Sequence, residues 1–368
     1  MSWLVALAIG FAFAQSQDEA AFKAAAALLS DRYPAATDDL YRAAIDGMAR
    51  QVDTLAQTEG SGLLTDAQYQ QVLASLRGER RGIGLQVWVQ AGQGLLVSRV
   101  FEGSPAEKQG LKQGDFVVGI NDTPLTGMTA AAMLNLLEYA RPPRIVLDVR
   151  RAGDAARTYS VPMGTYFASA VSPCSQQGWS CLELQHFGVG TADALRAALE
   201  DLDPNRGLVL DLRMTDSGAI DEMVAAAGLF LDAGAVVVSR GLPGKASEPL
   251  PARGGPVWPG KVVLLVDNGT GGLAEAFAAA LRESGRATLV GTRTAGRATT
   301  DTYYPLGQGL VLRLADVHLR SPAGRDWAAQ GLIPDLTVEH PRLVLRVDQQ
   351  AAPPDLQLEA AIRLIRGP

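Results

Sequence analysis

Lys261-Val-Val-Leu-Leu-Val-Asp-Asn-Gly-Thr-Gly-Gly-Leu-Ala-Glu275 starts as an apolar run, turns through Asp, Asn and three glycines, and opens an alanine-rich segment. The pattern predicts a strand over 261–266 and a helix over 273–284, followed by a strand over 287–290. The same alternation extends in both directions. Upstream come strand 181–187, helix 191–202, strand 207–212, helix 219–231 and strand 235–238, and downstream a strand-rich tail runs to about 338. This βαβ succession predicts an α/β domain, a largely parallel sheet sandwiched by helices. A loop rich in Gly and Pro occupies 241–260, and 356–365 reads as an amphipathic helix packed on the core.

Further from that unit the character changes twice. Residues 82–151 alternate short strands (85–89, 95–100, 116–120, 145–149) with one helix over 129–139, and read as a small β-rich domain. Residues 19–76 are helical, in three segments over 19–30, 38–55 and 65–76. The expected organisation is therefore 1–14 as a signal peptide, 15–80 as a helical lead-in, 81–152 as the small domain, 153–345 as the α/β domain, and 346–368 as a carboxyl-terminal helix and tail. With 47% hydrophobic and 20% charged residues in 368, the chain has ample material for cores, which excludes disordered and coiled-coil classes. Its net charge of −6 leaves no basic stripe for a phosphate backbone, so no nucleic-acid partner is expected. Two cysteines and three histidines, with no HExxH or CxxC spacing, predict no metal site and no cofactor.

Residues 2–14 are uncharged and mostly apolar, and Ala12-Phe-Ala14 before Gln15 has the small-x-small form of a cleavage site. The run is too short for a spanning helix of about 20 residues, so the expectation is export, to the periplasm or cell envelope, without a stable membrane span. An oxidising compartment lets a disulfide persist. A two-residue turn at Gln177 and Gly178 would place Cys174 and Cys181 opposite each other on a hairpin, and they are read as a structural staple rather than a redox pair.

In the small domain, Arg81-Gly-Ile-Gly-Leu85 heads a strand, and Glu102-Gly-Ser-Pro-Ala-Glu-Lys-Gln-Gly-Leu-Lys-Gln-Gly-Asp-Phe-Val-Val-Gly-Ile-Asn-Asp122 follows. Together these segments resemble a PDZ domain. The resemblance implies that backbone N–H groups of Gly82, Ile83, Gly84 and Leu85 hold a peptide's terminal carboxylate while the rest of the peptide adds as a strand beside 85–89. Peptide or protein carboxyl termini are thus the expected partners, and the sequence leaves the oligomeric state open.

Several further segments, taken in order, resemble the carboxyl-terminal processing or tail-specific peptidases over about 38–338. They are Ala43-Ala-Ile-Asp-Gly-Met48, Leu210-Asp-Leu-Arg213 with Gly218, Leu265-Val-Asp-Asn-Gly269 with Glu275, Gly291-Thr-Arg-Thr-Ala-Gly296, and Ser321-Pro-Ala-Gly-Arg325 through Gly331-Leu-Ile-Pro-Asp335. The resemblance implies a ClpP/crotonase-like α/β core and an exported serine peptidase with a Ser/Lys dyad. Such a dyad needs an exposed hydroxyl at a strand-to-helix turn and a lysine that can give up its proton. The aligned positions hold Gly272, which has no side chain, and Arg297, which keeps its proton at any ordinary pH. The third polar position falls on Asp301, expected to pair with Arg297. The oxyanion loop is reduced to Thr215, Asp216, Ser217 and Gly218, leaving Gly218 and Gly272 as its expected members. The favoured reading is a silenced peptidase that binds tails. The rival is an active hydrolase using Thr270 or Ser217, with His186, His318 and His340 the available imidazoles. Gly269-Thr-Gly-Gly-Leu-Ala274 also matches a dinucleotide fingerprint, but no acidic residue ends the next strand, so that reading is set aside.

Overall fold

A computed structural model of the chain describes residues 17–56, 58, 60–90, 92–139, 143–151, 154–174, 179–216, 218–232, 236–241, 248–339 and 355–367. The expected signal peptide, Ser217, His340 and the Gln177-Gly178 turn lie outside the described residues. The elements run α1 (Gln17–Arg32), α2 (Thr37–Ala56), β1 (Gly62–Thr65), α3 (Asp66–Leu76) and β2 (Glu79–Gly82). The small domain follows with β3 (Leu85–Gln90), β4 (Gly94–Val100), α4 (Pro105–Lys108), β5 (Phe116–Ile120), β6 (Thr123–Pro124), α5 (Ala130–Tyr139), β7 (Arg144–Arg150) and β8 (Arg157–Pro162). Then come β9 (Gly164–Phe167), β10 (Val171–Pro173), β11 (Cys181–Leu184), α6 (Thr191–Glu200), β12 (Leu208–Asp211), α7 (Ile220–Ala227), β13 (Val236–Gly241), β14 (Glu248–Pro251), β15 (Val262–Val266), α8 (Leu273–Glu283) and β16 (Ala287–Gly291). The chain closes with β17 (Thr299–Gly307), β18 (Leu310–Arg320), β19 (Leu336–Thr337) and α9 (Leu356–Arg366).

Two compact units divide these elements. The first comprises the described residues up to Thr65 together with Tyr303–Ala315. Within it, β1 pairs antiparallel with the start of β18, Gly62 opposite Arg313 and Thr65 opposite Leu310. Two carboxylates of α2 fix the chain entering β1. Asp46 accepts the Leu63 N–H at 3.1 Å, and Asp53 accepts the Ser61 N–H at 2.8 Å and the Ser61 hydroxyl.

The second unit comprises Asp66–Thr302 and the described residues from Asp316 onward, and it holds both the small domain and the α/β core. The core sheet has the order β10-β11-β12-β15-β16-β19. Every neighbour from β11 to β19 is parallel, with β10 antiparallel at the edge, as the βαβ succession predicts. Because side chains alternate across a strand, the sheet has two apolar faces. Leu208, Leu210, Leu264 and Val266 pack with Leu195 of α6, Met223 of α7 and Phe277 of α8. Val209, Val263, Leu265 and Val290 pack instead with Leu358, Ala361 and Ile362 of α9. Each such side chain contributes about 1.5–3 kcal/mol by leaving water.

The small domain is an antiparallel sheet in the order β3-β4-β5-β7-β8, with β6 beside β5. Its core gathers Leu95, Val117, Ile120, Met133, Leu147 and Val161, so β8 is an integral strand that a boundary at residue 152 cuts off. Sequence pattern misses it because Arg157–Pro162 shows one buried residue, Val161, on a largely exposed strand. β2 is likewise a strand rather than loop, paired antiparallel with β9, so Gly82 lies opposite Gly164.

Cys174 and Cys181 are disulfide-bonded across the β10–β11 pair, Cα atoms 5.3 Å apart, and the Cys174 N–H donates to Cys181 O at 3.0 Å. The bond stabilises chiefly by restricting the unfolded chain. For a loop this short the Cys174→Ser/Cys181→Ser protein should lose about 2.5 kcal/mol, read as a lower denaturant midpoint with an otherwise native circular dichroism spectrum.

Candidate active site

The turn between β15 and α8 is set by Asp267, buried at the end of the strand. Its Oδ1 accepts the N–H groups of Gly269 at 2.9 Å, Thr270 at 3.1 Å and, from the neighbouring loop after β12, Met214 at 3.0 Å. That one oxygen fixes the turn and the 213–216 loop against each other. Thr270 is fully buried, and its hydroxyl accepts the Asp267 N–H at 3.0 Å and donates to Leu212 O at 2.9 Å. This candidate nucleophile is a structural brace, with no exposed face for a substrate.

Gly272 caps α8 with φ 54° and ψ −118°, a left-handed conformation that side chains avoid. A Cβ built there would stand 2.9 Å from the Asp216 backbone oxygen. The Gly272 N–H already donates, to Arg297 O at 3.0 Å and to Glu275 Oε2 at 3.1 Å, so it is not free to stabilise an oxyanion as expected. Gly218 sits on the opposing loop in an isolated parallel bridge to Phe187.

Glu275, fully buried in the first turn of α8, joins this turn to the segment after β16. Its Oε1 accepts the Gly296 N–H at 2.7 Å and the Thr294 hydroxyl. Burial raises its carboxyl above the ordinary range, and the hydrogen bonds from Thr294, Gly296 and Gly272 oppose that rise. The next residue after Gly296, Arg297, lays its guanidinium over Gly271, with Nη2 2.5 Å from the place a Cβ would take. Arg297 pairs with Asp216 at 2.9 Å, and both side chains are about half exposed. Asp301 is the partner expected from sequence. The ion pair found runs instead to the loop that stands where the oxyanion loop would be, a contact invisible along the chain because its members are 81 residues apart.

The Asp-Leu-Arg segment also has a structural part. Arg213 binds Asp211 at 2.6 Å and Asp355, the residue capping α9, at 2.7 Å, and donates to Gln357 at 3.1 Å. Burial opposes its charge, but the two carboxylates more than offset that and hold the guanidinium protonated.

In the small domain the Ile83 and Gly84 carbonyls face inward, accepting the N–H groups of Ala106 at 2.8 Å and Phe101 at 3.1 Å. Gly84 has φ 80°, and a Cβ there would run into that of Ser104. The loop thus packs against α4, with Leu85 opening β3. In the sheet order β3 is a terminal strand, leaving an edge on which a peptide strand can add. A cavity of about 770 Å³ separates the other face of β3 and β4 from the α/β core. Gln86, Trp88 and Arg99 line it on one side, and His186, Met214 and Asp216 on the other. Arg99 crosses to the core, pairing with Glu183 and donating to Ser172 at 3.3 Å.

Residues 179–338 match the model of Peptidase family S41, and residues 71–142 match that of the PDZ domain. The large domain belongs to peptidase family S41, and the small one is a PDZ domain. Among curated relatives, a carboxy-terminal-processing protease of Bartonella bacilliformis is 28% identical over 275 residues, covering 73% of this chain and 63% of its own length. The carboxy-terminal processing protease CtpA of Bacillus subtilis is 28% identical over 323 residues, covering 87% of this chain and 68% of that one. The chain therefore spans roughly two thirds of the length of these relatives. The fold resembles that of a solved S41 protease from Bacteroides fragilis, with a TM-score of 0.57 at 18% identity, covering 83% of this chain and 86% of that one. It also resembles the photosystem II D1 C-terminal processing protease, with a TM-score of 0.50 at 23% identity and coverage of 83% and 82%. Among the described residues no group of His, Cys, Asp or Glu could hold a metal, and no helix is long and apolar enough to cross a membrane.

Of the imidazoles, His186 lines the cavity, while the Nε2 of His318 is buried without a hydrogen-bond partner among the described residues. His186 is itself buried, and its Nδ1 accepts the Gly188 N–H at 2.9 Å, which requires an unprotonated Nδ1. Burial first, and the nearby Arg80 charge second, push this imidazole below its ordinary value, with a weak contact to Ala168 O opposing them. The folded state then binds this proton less well than the unfolded chain. The stability His186 contributes is present above about pH 6.5 and is lost as pH falls through the depressed folded value. Glu275, with its raised value, acts in the opposite sense, so only a paired comparison isolates the histidine. His186→Asn, whose Oδ1 can replace Nδ1 as acceptor, should lose less melting temperature than the wild type between about pH 7.5 and 5. Parallel slopes for the two proteins would refute the assignment.

Proposed function

We propose that this chain is an exported, catalytically silent S41 family protein that binds peptide or protein carboxyl termini through its PDZ edge and the adjoining cleft. One observation carries the silence. At the turn where the family resemblance places the nucleophile, the Asp216 carbonyl stands 2.9 Å from the only position a side chain could start from. The base position adds to it, since an arginine paired with Asp216 cannot accept a proton. Binding is supported by the open β3 edge and the glycine loop, whose family habit is to hold a terminal carboxylate. The Cys174–Cys181 disulfide supports export, because such bonds persist in oxidising compartments. Nothing in the geometry favours the rival hydrolase at Thr270, whose hydroxyl is buried and engaged on both sides.

Casein hydrolysis tests this reading. The natural protein should be inert. Gly272→Ser/Arg297→Lys should remain inert as well, since the introduced hydroxymethyl group would meet the Asp216 carbonyl at a positive φ, a strain of about 1–3 kcal/mol that lowers the melting temperature. Activity should return only when the 215–217 loop is rebuilt in the same protein to release that carbonyl. Cleavage by the natural protein, abolished by Thr270→Ala or Ser217→Ala, would sink the proposal and establish the rival.

A further inference from the structure

The cavity between the PDZ domain and the core contains an arginine whose charge no carboxylate among the described residues neutralises. Three guanidinium groups line it. Arg99 is paired with Glu183, and Arg213 with Asp211 and Asp355. Arg80, on β2, has no ion-pair partner among the described residues, and Asp216 acts on it only at longer range. All its hydrogen bonds leave from Nη1, to Ser75 O and Ser75 Oγ at 2.6 Å each and to Glu79 O at 3.5 Å. The Nε and Nη2 donors are left without a partner among the described residues. Directly opposite on β9 is Tyr166, also part of the cavity wall. Burial pushes its phenol up, which keeps it a neutral O–H donor.

A guanidinium anchored through one nitrogen and open along its Nε–Nη2 side presents two parallel donors, the geometry that matches the two oxygens of a carboxylate. The surrounding charge selects further. Asp211 and Asp355 share Arg213, Glu183 pairs with Arg99 and Asp216 with Arg297, so the wall as a whole holds no surplus positive charge, and the single open fork of Arg80 suits a monoanion better than a phosphate dianion. The volume of about 770 Å³ lies in the range of ligand sites and admits several residues of extended chain. Met214 and Asp216, from the loop facing Gly272, form part of the same wall, so the cavity continues from the remnant of the active site.

We infer that Arg80, supported by Ser75 and with Tyr166 beside it, is the carboxylate anchor of this cavity, holding a carboxylate of a peptide that enters past Asp216. The inference rests on the tail-binding reading and gives that reading its charge-selecting residue. A terminus held by the backbone of the 83–84 loop predicts no dependence on the Arg80 side chain, so the two anchoring modes separate experimentally.

The test is fluorescence anisotropy with a labelled alanine-rich decapeptide in three forms: free acid, carboxyl-terminal amide, and amide carrying one internal glutamate. Each is titrated into the natural protein, Arg80→Gln and Arg80→Lys, with thermal unfolding as the folding control. The free acid should bind the natural protein, and Arg80→Gln should weaken it roughly tenfold to a hundredfold. Arg80→Lys, a point charge without the fork, should fall between. The plain amide should bind weakly and equally to all three proteins. An Arg80-dependent gain for the glutamate form would support the anchor and assign its ligand to side-chain carboxylates, whereas dependence only for the free acid assigns it to termini. Equal free-acid affinity in the natural protein and Arg80→Gln overturns the inference and leaves tail binding intact, while no binding of any form by the natural protein overturns both. Should Arg80→Gln fail to fold, unchanged affinity in Arg80→Lys overturns the anchor.

Discussion

The carboxylate of Glu275 lies out of water at the start of α8, and three groups from two separate turns converge on it: the Gly272 N–H, the Gly296 N–H and the Thr294 hydroxyl. A buried carboxylate is costly unless its oxygens are hydrogen-bonded, and removing it would strand the Gly296 N–H and the Thr294 hydroxyl at about 1–3 kcal/mol each. The residue is thus obligatory once the two turns are to meet. Their meeting places position 272 against position 297, where the Gly272 N–H donates to the Arg297 carbonyl.

Asp267 does for the next pair of segments what Glu275 does for the first. By accepting N–H groups from both 269–270 and Met214, it registers the β15–α8 turn against the loop after β12. Arg213 then ties that loop to α9 through Asp355. A chain of charged and polar contacts runs from the carboxyl-terminal helix to α8, and every link is buried or partly buried. Such links are maintained by folding alone and need no substrate to hold them.

The legible part of the sequence was whatever repeats with a period or sits beside glycine. The β15–α8 unit and its relatives announced a parallel sheet, and the Gly-Ile-Gly and Gly-Ser-Pro segments announced the small domain. The expected dyad positions were assigned to Gly272 and Arg297 from the register of Gly269, Glu275, Thr294 and Gly296 around them. What escaped was contact across distance. Nothing local in Arg297 says that it will choose Asp216, Thr270 does not show in sequence that its hydroxyl is consumed between the Asp267 N–H and the distant Leu212 carbonyl, and β8 hides behind a single buried valine. Arg80 stood out least, since two consecutive arginines before a glycine loop look like solvated charge until the fold leaves one of them facing a cavity.

Asp216 makes two contacts at once: its carbonyl stands against Gly272 and its carboxylate holds Arg297 across the gap, so one residue joins the loop after β12 to both of the segments that Glu275 brings together. In the cavity that continues from there, Arg99 and Arg213 are ion-paired while Arg80 has no paired carboxylate among the described residues. A half-buried guanidinium without a carboxylate is a cost to stability. Its persistence beside ion-paired neighbours makes sense if the missing partner arrives with the ligand.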